Sequence, residues 1–237
     1  MQFVRSGLRV GSAAGAVALV VGLLGTPAAS AQSSLSFSAG VFNPRGEDSR
    51  TPGDVLVNNL DFLSFNVSDF HAGFVGAEYL AGLGNFFEAG LGIGYQQRTV
   101  PSVYLDFVNS NGSEIEQNLK LTVVPMTATF RVLPLGHHDA ITPYIGAGVG
   151  VFHWRYSESG QFVGTDSSIF QGTFTGSGNA TGPVIVGGLR VPAGHWDFGG
   201  EVRYQNAKGD LPADQEFSGP KIDLSGFTYS FTANVRF

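Results

Sequence analysis

Alternation runs through the last dozen residues: Phe227, Tyr229, Phe231, Ala233, Val235 and Phe237 are apolar, and Thr228, Ser230, Thr232, Asn234 and Arg236 between them are polar. A β-strand turns successive side chains to opposite faces, so the stretch predicts a strand with one apolar and one polar face. The pattern recurs upstream. Trp196, Phe198, Gly200, Val202 and Tyr204 oppose Asp197, Gly199, Glu201, Arg203 and Gln205, and Phe87, Ala89, Leu91, Ile93 and Tyr95 oppose Glu88, Gly90, Gly92, Gly94 and Gln96. Met126, Ala128, Phe130 and Val132 oppose Thr127, Thr129 and Arg131, while Ile145, Ala147, Val149 and Val151 oppose Tyr144, Gly146, Gly148, Gly150 and Phe152. Weaker alternation covers Leu35 to Val41, Val75 to Tyr79 (opposite Gly76 and Glu78) and Ile185 to Val191 (opposite Arg190). Eight strands are predicted. No sustained apolar period of 3.6 residues follows residue 31, so almost no helix is expected there.

The connections alternate as well. Short turns rich in Gly, Pro and Asn lie at Gly82–Asn85, Pro134–Thr142 and Pro192–His195. Connections of roughly 15 to 25 residues lie at Pro44–Asp69, Gln97–Asn118, Ser157–Thr181 and Asn206–Lys221, a length beyond ordinary turns. A soluble sandwich has no reason to gather its long loops at one end, and its apolar face looks inward. A transmembrane barrel has both features: an even strand number, short periplasmic turns, long outer loops, apolar side chains toward lipid and polar ones toward the lumen. Trp196 and Tyr204 are separated by about 20 Å along the membrane normal at about 3.3 Å per residue and the usual tilt, close to the spacing of two aromatic girdles. The expected fold class is therefore all-β, an eight-stranded antiparallel transmembrane β-barrel. Ten strands result if Gln161–Thr175 folds as a further hairpin.

The start of the chain changes the picture next. Arg5 and Arg9 precede an apolar run that closes on Ala29-Ser30-Ala31, the composition of a cleaved secretory signal peptide over residues 1–31, which leaves 32–237 as the barrel domain. The chain has no cysteine, so neither a lipid-modified anchor, a disulfide nor a thiolate metal site is available. Once Arg5 and Arg9 are removed, eleven bases face nineteen acids, and an acidic chain without a Lys/Arg cluster is a poor partner for nucleic acid.

The terminal "FTYSFTANVRF" resembles the insertion signal read by the outer-membrane barrel assembly machinery, with Phe237 as its terminal aromatic. "PMTATFRVLPLGHHDAITPYIGAGVGVFHW" is similar to the central hairpin of small outer-membrane proteins of the OmpA, OmpX and OmpW type. The resemblance implies an outer-membrane location and contact with the assembly machinery through the last strand. Outer-membrane lipids and lipopolysaccharide are its implied surroundings, and a monomer its implied state. The resemblance covers the barrel alone, so the peptidoglycan-binding domain of full-length OmpA proteins is not expected.

Eight strands enclose an interior just wide enough for side chains to fill, which excludes a wide porin. By parity the lumen receives Glu78, Glu88, Asp197 and Glu201 together with Arg131, Arg190, Arg203 and Arg236. Four acids meeting four bases suggest an internal ion-pair plug, because unpaired charges in a low-dielectric interior are costly. Arg203→Ala is then expected to unpair a buried carboxylate and destabilise the barrel. A narrow conduit gated by the same pairs, or an OmpW-like route for small solutes including apolar ones, is the alternative. Aromatic segments such as "DVLVNNLDFLSF" and "SVYLDFV" would line its apolar pocket or else extend the strands.

The remaining motifs point to no catalytic, cofactor or metal site. Gly146–Gly150 repeats with period two and lacks the spacing of a nucleotide loop. His137, His138 and Asp139 share one turn, where adjacent His side chains converge poorly on one ion. Asn66, Asn111 and Asn179 begin Asn-x-Ser/Thr triplets that read as loop composition. His153 with Ser157 or Ser159 and Glu158 is a loose hydrolase-like grouping, which needs the His within hydrogen-bond reach of the Ser. A non-enzymatic structural or surface-interaction role is expected.

Overall fold

The computed structural model describes residues 33–137 and 140–237, so the expected signal segment lies outside the described residues, as do His138 and Asp139. Eight long strands close into a ring, numbered β1 (Ser33–Pro44), β2 (Ala72–Gly82), β3 (Phe87–Val108), β4 (Glu114–Val132), β5 (Thr142–Val163), β6 (Ile169–Ala193), β7 (Trp196–Gln205) and β8 (Gly226–Arg236). Each strand pairs antiparallel with its sequence neighbours, and β1 pairs with β8 from Ser34 opposite Arg236 to Pro44 opposite Gly226. Closure leaves the ring without an edge and satisfies its backbone groups within the sheet.

The alternation read from the sequence is the barrel's inside–outside pattern. Phe37, Val75, Leu91, Ile93, Phe130, Val149, Ile185, Phe198, Val202 and Phe231 stand exposed on the outer wall, with Phe231 at 83%. A soluble protein does not leave such a continuous apolar surface in water. Tyr79, Phe87, Phe130 and Trp196 sit toward the end with the short turns, and Tyr95, Tyr204, Phe227 and Tyr229 toward the other, as two aromatic girdles. Phe87 stacks on Phe130 at 5.6 Å between ring centres, and Tyr204 meets Phe227 at 4.9 Å.

The expected long outer loops are corrected in two of four cases. Gln97–Asn118 and Ser157–Thr181 are mostly strand: β3 and β4 continue to a tip at Asn109–Ser113, and β5 and β6 to a tip at Gly164–Ser168. Polar residues hid the continuation, because strands above the membrane no longer need an apolar outer face. The hairpin around Gln161–Thr175 lengthens β5 and β6 rather than adding strands, so the ring keeps eight. Four strands thus rise as a tall half-wall, while β7, β8, β1 and β2 stop near the girdle. Loops 45–71 and 206–225 fold into the space behind the wall, with one five-residue α-helix, Val55–Asn59, among the described residues. Short strands Lys208–Asp210 and Lys221–Asp223 pair within the second loop.

Candidate functional site

The interior is filled in three tiers. At the inner end, Arg190 grips Glu88 through two parallel bonds, Nη1 to Oε1 at 2.8 Å and Nη2 to Oε2 at 2.6 Å. His137, on the β4–β5 turn, reaches the same carboxylate through Nε2 at 3.0 Å, and Arg236 lies 3.3 Å from Asp197. At mid-depth Arg131 donates to Glu78 at 2.5 Å and to Glu201 at 3.1 Å, and Arg203 donates to the same two carboxylates at 3.0 and 2.9 Å. Thr127 and Thr129 extend this quartet, bonding Arg203 and Glu78 respectively. Tyr144 joins the tiers: its hydroxyl donates to Glu201 at 2.9 Å, and the Arg131 and Arg190 guanidiniums lie 4.8 and 4.5 Å from its ring centre.

All eight charges assigned to the lumen by parity are there, each with an opposite charge. Arg forms such pairs better than Lys because its planar fork meets two carboxylates at once. Facing glycines make the room: a Cβ on Gly188 would stand 2.6 Å from the Tyr144 hydroxyl, so any larger residue displaces it. Tyr144 and the two threonines were legible only as polar-face positions; nothing in the sequence distinguished them as members of the network.

The outer tier is apolar. Inward parity on β5 changes from Gly146, Gly148 and Gly150 to Phe152, Trp154 and Tyr156, all buried. They pack with Val55, Leu56, Leu63, Phe70, Leu119, Val123, Leu211, Ile222 and Leu224 into a core that spans the mouth. Val55, Leu56 and Leu63 come from a segment expected either to line an apolar pocket or to extend the strands; the structure packs them into this core instead. A buried clasp joins the two loops. Arg50 pairs with Asp54 and donates to the Asp223 carbonyl at 2.7 Å, the Asp223 amide donates to Asp54 at 2.8 Å, and the Thr51 amide donates to Asp223 at 2.9 Å.

Glu158 is buried in this cap with no cationic partner among the described residues. Its Oε1 accepts from Asn59 at 2.7 Å and from the Tyr156 hydroxyl at 2.9 Å, and burial raises its pKa above the ordinary glutamate value. A raised acid favours the folded cap while protonated, so this contribution is fully present below the unfolded pKa and is lost as pH rises through the folded one. Glu158→Gln is expected to stabilise the cap at neutral pH and to remove the loss of stability that begins as pH rises past the ordinary glutamate pKa. Hydrogen exchange of residues 206–225 in both proteins checks this; identical pH profiles would count against it.

The hydrolase-like grouping is not assembled. His153 points outward and bonds Asn179 at 3.0 Å, whereas Glu158 points into the cap, on the opposite face of the same strand. His137 is committed to Glu88 and the Asn85 carbonyl. Among the described residues no cluster of three or more potential metal ligands occurs.

No family model matches the chain, and no curated protein matches it. Solved structures do. The outer membrane protein OprG from Pseudomonas aeruginosa superposes with a TM-score of 0.52 at 12% identity, over 88% of this chain and 96% of that one. Ail, the attachment invasion locus protein of Yersinia pestis, gives 0.46 at 13% identity over 88% and 100%, and the outer membrane protein AlkL gives 0.42 at 17% over 90% and 95%. At these identities the likeness is one of fold. The chain has the fold of the small eight-stranded outer-membrane β-barrel proteins, and its uncovered apolar belt is the surface that membrane surrounds.

Proposed function

We propose that the protein is a non-enzymatic, non-conducting barrel that anchors an acidic, strand-built surface outside the membrane, with its lumen plugged by its own side chains. One observation carries the reading. The cavities lined by the mid-depth quartet and by the inner tier are only about 20 Å³ each, room for roughly one water apiece, and the apolar cap lies above them. Purified protein in planar bilayers is expected to give no steady single-channel openings in dilute salt. Regular openings of constant size would overturn the plug.

A second reading is an OmpW-like lateral route for small apolar solutes. It is favoured by a seam in the wall. Pairing of β3 with β4 lapses between Ile93–Met126 and Gln96–Val123, where Pro125 has no N–H to donate. Phe74 lies against the seam on the inside: a Cβ on Gly94 would meet its ring at 2.6 Å. Uptake of an apolar dye into protein-bearing vesicles, accelerated by Phe74→Ala, would favour this route over the plug.

A further inference from the structure

We propose that the outward face of β4 and β5 just above the apolar belt binds a phosphate group of an outer-leaflet glycolipid through Lys120 and Arg155. The assignment rests on the reading that the belt is immersed with the tall half-wall on the outer side. Above the belt the chain carries fourteen acids against seven bases, so clustered bases there need a reason. Register brings them together. Val124 faces His153, Thr122 faces Arg155 and Lys120 faces Ser157, which makes Lys120 and Arg155 diagonal neighbours about 7–8 Å apart on one face. Both are exposed, and neither has an ion-pair partner among the described residues.

Height selects the occupant. Met126 and Val151, the last strongly exposed apolar residues of β4 and β5, stand four to six positions below the pair, which puts the pair at headgroup level. On this face of β4 the nearest acid, Glu116, is four residues further out than Lys120. Thr99, Thr122, Ser157 and Asn179 surround the pair with hydroxyls and amides, which suit a sugar headgroup better than a bare phosphodiester. A basic residue near a charged headgroup layer contributes about 1 kcal/mol.

The test uses the mature protein in phosphatidylcholine nanodiscs doped in turn with diphosphorylated lipid A, the same glycolipid stripped of phosphate, and phosphatidylglycerol, with bound lipid read by native mass spectrometry. The wild type is expected to retain diphosphorylated lipid A in preference to the other two, and the double variant Lys120→Ser/Arg155→Ser to bind it roughly 20- to 30-fold more weakly. Gel mobility before and after boiling shows that the variant still forms the barrel. Unchanged retention by the folded variant, or equal retention of either of the other lipids by the wild type, overturns the site. Failure of the wild type to enter any nanodisc would instead overturn the membrane reading beneath it.

Discussion

Arg131→Ala is expected to cost about 3–5 kcal/mol, the largest loss from any single change within the lumen. Arg131 is 1% exposed and contacts both carboxylates of the quartet, so its removal leaves Glu78 and Glu201 sharing only Arg203. Two buried carboxylates with one cation cannot both be compensated, and room for about one water beside them offsets little of the deficit. Arg131→Lys keeps the charge but loses the fork, and is expected to recover only part of the deficit. Urea unfolding of protein folded into lipid vesicles, followed by tryptophan fluorescence, measures the difference. A loss under about 1 kcal/mol would mean that the quartet is incidental to stability. Arg203→Ala follows the same logic with a smaller effect, since Arg203 is the less enclosed of the two.

Trp154→Ala is expected to cost the cap about 3–5 kcal/mol while leaving the belt in place. The indole is 1% exposed and fills the space above Gly178 and Gly209, so truncation opens a cavity that neither glycine can fill. Its N–H has no acceptor among the described residues, so Trp154→Phe discards an unsatisfied donor along with some volume and should cost much less. Amide exchange resolves the two regions: residues 206–225 should exchange faster in Trp154→Ala, and β7 and β8 within the belt should not change. Uniform acceleration across the barrel would show that cap and belt are one cooperative unit.

The barrel was legible because its outer wall is written by one rule. Lipid accepts only apolar side chains, so period two survives on every strand, and the lumen charges follow from parity alone. Above the girdle that rule stops. Water surrounds the half-wall, so Thr99, Glu116, Asn118 and Ser157 read as loop although they are strand. The cap was hidden for a related reason: Val55, Leu56, Ile222 and Leu224 lie far apart in sequence in segments without a period, and only the fold brings them together. The one local sign was on β5, where small inward residues give way to Phe152, Trp154 and Tyr156.

The seam between β1 and β8 has a kinetic consequence. It joins Ser34 to Arg236, so the contact that shuts the cylinder spans nearly the whole polypeptide, and no partial product can acquire it early. Until that meeting, two adhesive borders stay open to any passing strand, and an escort must shield them or aggregation competes with assembly.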